Sequence, residues 1–514
     1  MRALRRKQTA VLDLGRTFLQ CVERNPAAIG LVDGEVRLSY AAWAGRIGGV
    51  IRGLAAVGVA RGDHLLSILQ NRHQAATLHW ACQFMGVVIT PLNWRAKADE
   101  IDYCLADSGA RVLIAEPLAA AALAASKLAA DTTRIAIGPQ SQFDAWLADP
   151  TDPQPQAAAA DLSLMLYTSG TTGKPKGVPR RQHAERMAAL AHVAQNQYGY
   201  GERTLGVMPL YHTMGVRSLL ALALIDGRFV CQPKFDAAAA LAAIAAEQVT
   251  HLYLVPTLYH DLLAQAQKSG ANLSSVRKLG FAGAPMHDAL LQRLVAAFKP
   301  DLFVNHYGSS EIYTFSINQN APAKPGSAGR AGINTRLRVV PLDARAPGLR
   351  AAPLQEGQII ADLAGDEAFE GYHRRPDADA RSLIDGWYFT GDTGYFDHEG
   401  DLFVTGRVDD MIISGGENIS PADIESVLSL HPAVDEVAVA GLADERWGQR
   451  VVAFVKRRGH VSGDALDAHC RASDLLNFKR PREYVFVRAI PKSPVGKILR
   501  RMLVAGEYER EAAP

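Results

Sequence analysis

Apolar residues switch between a helical and a strand-like spacing through the first hundred positions, and this alternation limits the fold more than any other property of the chain. From Ser39 onward Trp43, Ile47, Val50, Ile51 and Leu54 recur at helical spacing, Gly58 closes the run, and residues 64–69 read as a strand. A helix-like stretch at 74–85, a β-branched run at 87–90 and another helix-like stretch at 99–108 continue the pattern. Strands joined through helices pair in parallel, so the expected class is α/β: a large N-terminal domain of parallel-rich sheets covered by helices. Near Gly406 the texture changes. A Gly-rich segment at 406–421 precedes strand-like runs at 434–440, 451–456 and 484–487. The expected division is 1–406 and a small, mobile α+β C-terminal domain, 407–514. Residues 149–156, DPTDPQPQ, read as a loop or surface connection, 119–130 are Ala-rich, and no repeat of fixed period is visible.

With 514 residues, 48% of them hydrophobic, the chain has ample material for cores. Its 55 basic and 53 acidic residues leave +2, which gives no electrostatic case for nucleic acid or an anionic membrane as partner. Arg217 interrupts the best apolar run, around 214–225, well short of the ~18 residues that span a bilayer. Cys21, Cys82, Cys104, Cys231 and Cys470 are scattered without a CxxC, which argues against a disulfide framework or structural zinc and for a reducing compartment. Arg2, Arg5, Arg6 and Lys7 open the chain, but Asp13 and Arg16 follow before any hydrophobic signal region develops, so a cytoplasmic protein is expected.

The strongest local motif is YTSGTTGKPKGV at 167–178, with three glycines, five hydroxyl side chains and two lysines in twelve positions. Glycines let backbone N–H groups converge on an anion, hydroxyls donate further, and lysine adds a compact charge, so this is a phosphate-wrapping loop, although it is not GxxxxGK[ST]. Further motifs follow in order: MPLYH at 208–212, GAPM at 283–286, YGSSE at 307–311, GWYFTGD at 386–392, the Gly-rich 406–421, and PKSPVGK at 491–497. On these motifs the chain resembles the adenylate-forming acyl-CoA synthetases over nearly its whole length, and in detail the bacterial 4-chlorobenzoate and benzoate-type CoA ligases. The resemblance implies two steps: a carboxylate attacks the α-phosphate of ATP to give acyl-adenylate and pyrophosphate, and CoA thiol then displaces AMP.

The resemblance also implies residue roles. Thr168, Ser169, Gly170, Thr171, Thr172, Gly173 and Lys176 would wrap the phosphates, and Glu311, beside Ser309 and Ser310, would hold Mg²⁺. Ser310 stands where the family more often has Thr. Gly283, Ala284, Pro285, His306, Tyr307 and Gly308 would form the adenine pocket, with Tyr307 stacked on the ring. Asp392 would accept from the ribose hydroxyls, and Arg407 would reach the nucleotide. Taken alone, Asp392 suits a turn cap and Arg407 an interdomain ion pair. Lys497 would bridge the attacking carboxylate and the α-phosphate. A hinge at Asp409 would then bring Ser414, Gly415, Gly416 and Glu417 round to line the thiol path, where glycine keeps the channel open. Arg95, Trp447, Phe478 and Arg480 match positions that hold the CoA nucleotide, although Trp447 also suits a core anchor of the small domain. His212 resembles a gate between acid pocket and thiol channel; the plainer reading is a local hydrogen bond.

Ala189, His212, Thr213, Met214, Gly283, His306, Tyr313 and Thr314 fall where these ligases surround their ring, which implies a small planar acid of benzoate or furoate type. Exposure statistics favour an ion pair at the surface or between domains for Arg217; facing the pocket, it would accept a second carboxylate, as in a malonate-type diacid. The expected partners are the acid, ATP with Mg²⁺, and CoA, and a homodimer is compatible with the reading. The rival functions are a stand-alone adenylation enzyme that loads a carrier protein, against which the chain carries no carrier segment after Arg501, and a non-catalytic relative, which would be expected to lose Lys497, Glu311 or Asp392.

Overall fold

The computed structural model describes residues 12–168, 175–492 and 498–511. The helix Tyr40–Ala56 shows how the alternating pattern becomes packing. Ser39 caps it by accepting from the backbone N–H of Ala42 (3.2 Å), and Trp43, Ile47, Val50 and Leu54 are buried on one face. Phe18 packs edge-on to Trp43, with ring centroids 5.3 Å apart, and at 4.8 Å from Trp80, so truncating Trp43 to Ala would cost about 3–5 kcal/mol. The opposite face carries Gly48, where a Cβ would lie 1.8 Å from the carbonyl oxygen of Thr151. The 149–156 connection therefore rests directly on helix backbone, with Thr151 N–H donating to the Gly45 carbonyl (3.0 Å).

Three sheets organise the chain. In the first, Thr133–Ala136, Val112–Ala115, His64–Ile68, Val88–Leu92 and Leu162–Thr168 run parallel in that order, and Lys176–Arg181 closes the edge antiparallel. The second has fourteen strands. Its parallel run passes through Arg228–Cys231, Arg203–Gly206, His251–Leu254, Lys278–Phe281 and Leu302–Tyr307. From Ser316–Asn318 to Leu402–Arg407 the pairing becomes antiparallel, a half that the helix and strand spacing did not anticipate. A five-stranded sheet between Ile412 and Phe486 builds the smaller C-terminal unit, with its own core of Ile412, Ile424, Leu428, Val437, Val455 and Leu466. All five cysteines are free and buried, and among the described residues no helix is long and apolar enough to cross a membrane.

Candidate active site

Strand ends of the two large sheets supply the nucleotide side. Leu162–Thr168 and Lys176–Arg181 form a hairpin in which Thr168 faces Lys176; its tip, with Ser169, Gly170, Thr171, Thr172 and Gly173, lies outside the described residues. Lys176 leaves the hairpin with Nζ 4.0 Å over the ring of Tyr372, and burial lowers its pKa while Glu311 opposes that shift. Glu311 sits in a tight turn after Leu302–Tyr307, closed by Ser309 N–H to the Ile312 carbonyl (2.9 Å), with Ser309 Oγ accepting from Glu311 N–H (3.2 Å). A Cβ at Gly308 would come within 2.1 Å of the Tyr313 carbonyl oxygen, so the turn requires glycine there. Ser310 is half-buried on the same turn.

The Glu311 carboxylate is 5% exposed and accepts from Tyr372 Oη at 2.6 Å through Oε1, which leaves Oε2 without a hydrogen bond among the described residues. Burial, with Glu311 adding to it, holds the Tyr372 phenol protonated, as a donor. Such an anionic, oxygen-only station suits a hard divalent cation. The acidic group Asp397, Glu399 and Asp401 lies elsewhere on the chain, and Lys324 already pairs with all three.

Asp392 lies within the strand Trp387–Phe396 and faces Arg407 on the neighbouring strand, so it caps no turn. It accepts from Tyr307 Oη (2.5 Å) and Arg407 Nη1 (2.7 Å). Arg407 thus pairs with the neighbouring strand of its own sheet. Burial weakens its charged form, but Asp392, Tyr388, Tyr307 and Asp409 together outweigh burial, so its pKa is raised. Tyr307 points its hydroxyl at Asp392 with its ring 5.0 Å from Phe315. Gly283, at φ +84°, Ala284 and Pro285 follow the strand end at Phe281, with Gly283 and Pro285 exposed.

The residues expected on the acid side gather around the helix Thr213–Leu224. His212 caps it, its Nδ1 accepting from Met214 N–H (3.3 Å), which is the local bond that the plainer reading anticipated. Burial, helped by the charge of Arg217, pushes His212 down to about 4, so the ring is neutral at physiological pH. Thr213, Met214, Tyr313, Thr314 and His306 are buried close by, together with Ala189 on the helix Gln182–Gln195.

Among the described residues Arg217 makes neither the surface nor the interdomain ion pair expected of it. Arg217 is 2% exposed and donates through Nη1 to the Tyr313 carbonyl (3.2 Å) and Thr314 Oγ1 (2.7 Å), and through Nη2 to Tyr253 Oη. Carbonyl and hydroxyl oxygens thus replace the water that usually keeps arginine outside.

Several residues of the site went unread in the sequence. Arg180 and Glu185, both fully buried, pair at 2.8 Å; Arg180 also donates to the backbone carbonyls of Glu311 (2.8 Å) and Glu367 (2.6 Å), and Glu185 accepts from Tyr313 Oη (3.0 Å). This pair fixes the backbone that aims the Glu311 side chain. Glu185 and His192 lie one helical turn either side of Ala189, a spacing that could have flagged them. Tyr253 and Tyr372 carried no comparable signal.

The residues assigned to CoA are surface groups. Arg95 stacks on Trp94, with its guanidinium 3.6 Å from the ring centroid. Trp447 is 40% exposed and so is no core anchor, Phe478 is exposed, and Arg480 is held by Asp467 at 2.5 Å. Ser414 and Glu417 close a hairpin whose tip, Gly415 and Gly416, has φ of +63° and +88°. Asp409 is exposed in the single turn Val408–Asp410 that leads into the small unit. Arg500, half-buried, donates to both oxygens of Glu425 (2.6 and 2.8 Å), to Asp410 (3.3 Å) and to the Val439 carbonyl (3.1 Å). Lys497 itself lies outside the described residues.

Comparison with known proteins identifies the family. The profile of the AMP-binding enzyme family matches residues 18–373, and that of the AMP-binding enzyme C-terminal domain matches 423–497. A 4-chlorobenzoate–CoA ligase of Arthrobacter sp. is 33% identical, covering 93% of this chain and 92% of its own. An indoleacetate–CoA ligase of Aromatoleum aromaticum is 35% identical, covering 96% of each. The o-succinylbenzoate CoA synthetase of Bacillus subtilis, solved with its acyl-adenylate intermediate, superposes with a TM-score of 0.82 at 27% identity, covering 95% of this chain and 97% of that one. The chain belongs to the AMP-binding enzyme family and is an adenylate-forming acyl-CoA synthetase, an ATP-dependent acid–thiol ligase similar to the chlorobenzoate-type CoA ligases.

Proposed function

We propose that this ligase activates a small planar monocarboxylic acid of benzoate or heteroaromatic type. What supports this reading is that Ala189, Thr213, Met214, Thr314 and His306, a set of flat and small side chains, are all buried. The relatives named above act on chlorobenzoate and indoleacetate, both aromatic acids. Buried Arg217, with no carboxylate paired to it, favours one second reading, a malonate-type diacid.

Glu311 would hold Mg²⁺ through the oxygen that Tyr372 leaves open, and the bound ion would neutralise phosphate charge as the carboxylate approaches. Lys176, over Tyr372, adds a second positive charge there, and the loop 169–174 wraps the phosphates. Asp392, steadied by Tyr307 and Arg407, accepts from the ribose hydroxyls, while Gly283, Ala284 and Pro285 border the adenine. Lys497 meets the attacking carboxylate and the α-phosphate. His212 gates the path by its shape; with its pKa lowered to about 4 it is too weak a base to take the thiol proton, which passes to solvent as the sulfur attacks the mixed anhydride. The large unit, 1–406, and the small one, 407–514, turn about Asp409 between the two steps, and Ser414, Gly415, Gly416 and Glu417 then line the thiol path. Arg95, Trp447, Phe478 and Arg480 hold the CoA nucleotide at the rim.

The test is a panel of carboxylic acids scored for AMP formation with and without CoA. Highest kcat/KM for a ring acid, with AMP release stimulated by CoA, is the expected result. Preference for malonate or octanoate refutes the acid assignment, and stimulation by a carrier protein in place of CoA refutes the thiol assignment.

A further inference from the structure

We propose that the acid carries a hydroxyl group remote from its reacting carboxylate, and that Arg217, His192 and His306 read that hydroxyl. The inference rests on the assignment of the acid to this pocket. Three polar groups surround the ring of Tyr253: the Arg217 guanidinium carbon lies 5.2 Å from its centroid, the His192 ring 4.8 Å and the His306 ring 5.0 Å. Each of the three is at least 97% buried. Each also carries one buried nitrogen without a hydrogen-bond partner among the described residues: Arg217 Nε, His192 Nε2 and His306 Nδ1.

The protonation of both histidines follows from one amide. Asn196 Nδ2 lies 2.7 Å from the His192 carbonyl oxygen, a contact that only the amide nitrogen can make as a donor. The same Nδ2 lies 2.9 Å from His192 Nδ1, which must therefore accept, so the proton of His192 sits on Nε2. Asn196 Oδ1 lies 3.0 Å from His306 Nε2, which must therefore donate, so His306 Nδ1 is a bare acceptor. Burial, with the charge of Arg217 adding to it, keeps both rings neutral. The unmet groups are thus two donors, Arg217 Nε–H and His192 Nε2–H, and one acceptor, His306 Nδ1. A hydroxyl offers the matching set, with two lone pairs to accept and one proton to give. Native interiors leave few polar atoms unpaired, so three of them on groups around one ring call for an occupant, which the proposal identifies as the substrate hydroxyl.

Charge separates a hydroxyl from a second carboxylate. Glu367 is buried nearby, with Oε1 accepting from Asn334 (3.0 Å) and Oε2 unmet. Burial raises its pKa, and Arg217 is the strongest influence opposing that rise. Glu367 therefore partly answers the charge of Arg217 from beyond ion-pair distance. A second substrate carboxylate would meet Glu367 as a like charge and would offer no proton to His306.

The experiment compares kcat/KM for 3- and 4-hydroxybenzoate with that for 3- and 4-methylbenzoate, which keep the shape and lose the hydroxyl, and includes terephthalate, malonate and octanoate. One hydroxy acid should exceed its methyl partner by about tenfold or more, and Arg217→Met and His192→Phe should each shrink that ratio toward one. If Arg217→Met does not fold, the wild-type ratios together with His192→Phe decide. Equal or better use of the methyl acids overturns the inference and assigns the unmet atoms to a resident water, and preference for a diacid overturns it in favour of an ion pair with Arg217. Turnover of octanoate with none of the ring acids refutes instead the acid assignment beneath it.

Discussion

Replacing Gly415 by alanine separates the two half-reactions of the proposed cycle. Gly415 has φ +63°, and an added Cβ would lie 2.8 Å from Cε3 of Trp447. The left-handed backbone costs a non-glycine residue about 1–2 kcal/mol. The ring of Trp447 must also move by a few tenths of an ångström, and at 40% exposure it has room to do so. The strain therefore displaces the aromatic group proposed to hold the CoA nucleotide and leaves the Glu311 and Asp392 stations untouched. The backbone cost is shared with the neighbouring glycine, so the discriminating part is the displaced Trp447 ring: losing an aromatic contact of about 0.5–1.5 kcal/mol should, at about 1.4 kcal/mol per factor of ten, slow the thiol step about two- to tenfold, mostly through a higher KM for CoA. Single-turnover quenched flow reads both steps: pyrophosphate release without CoA should keep its wild-type rate while thioester formation falls. Gly416→Ala is the companion variant, because its φ of +88° brings the same backbone cost while nothing lies within 4 Å of the new Cβ. A parallel fall of both half-reactions, or a Gly416→Ala defect equal to that of Gly415→Ala, would refute the role given to the Trp447 contact.

Three further outcomes are expected. Lys497→Ala should slow adenylate formation by about 10² or more and spare thioester formation from preformed acyl-adenylate; an equal collapse of both sinks the two-conformation cycle. Tyr372→Phe removes the hydroxyl held at 2.6 Å by Glu311, a charge-assisted bond worth about 1.5–3 kcal/mol, and should weaken Mn²⁺ binding, read by electron paramagnetic resonance with ATP present, about tenfold; unchanged binding rejects Tyr372 as a positioning residue. His79 is buried with neither ring nitrogen hydrogen-bonded, and burial lowers it to about 4, as burial does for His64 and His212. Below pH ~6.5 the unfolded chain protonates these rings while the folded one does not until about 4, so stability should fall as pH drops through that window and stay level above it. His79→Leu should raise Tm and flatten that fall, and a lower Tm at pH 7 contradicts it.

What could be read from the sequence was whatever depends on near neighbours. The helix Tyr40–Ala56 announces itself through a cap at Ser39 and a single apolar stripe, and Leu162–Thr168 through its apolar run beside the glycine-rich loop. The antiparallel half of the large sheet was not legible, because strands such as Ser316–Asn318 and Leu337–Val340 are short and their partners are chosen by tertiary packing. Glu311 stood in a recognisable motif, whereas the tyrosine that holds it comes from 61 residues away. Exposure statistics failed for Arg217, since they describe arginines whose surroundings are water. Here a backbone carbonyl, a threonine and a tyrosine, brought together from residues 36 to 97 positions distant, solvate the guanidinium inside the protein.

Arg500 bears on how the lysine proposed as catalytic would travel. It binds Asp410, one residue past the proposed pivot, and Glu425 and Val439 in the body of the small unit, from a position three residues beyond Lys497. Arg500 therefore ties Asp410 to the body of the small unit, and in the proposed cycle a turn at Asp409 would carry Lys497 along with that unit. The distance between the cation and the phosphate then becomes a readout of a single hinge angle. A spectroscopic label pair spanning Asp409 would report, in one measurement, whether the enzyme is set to make the adenylate or to spend it.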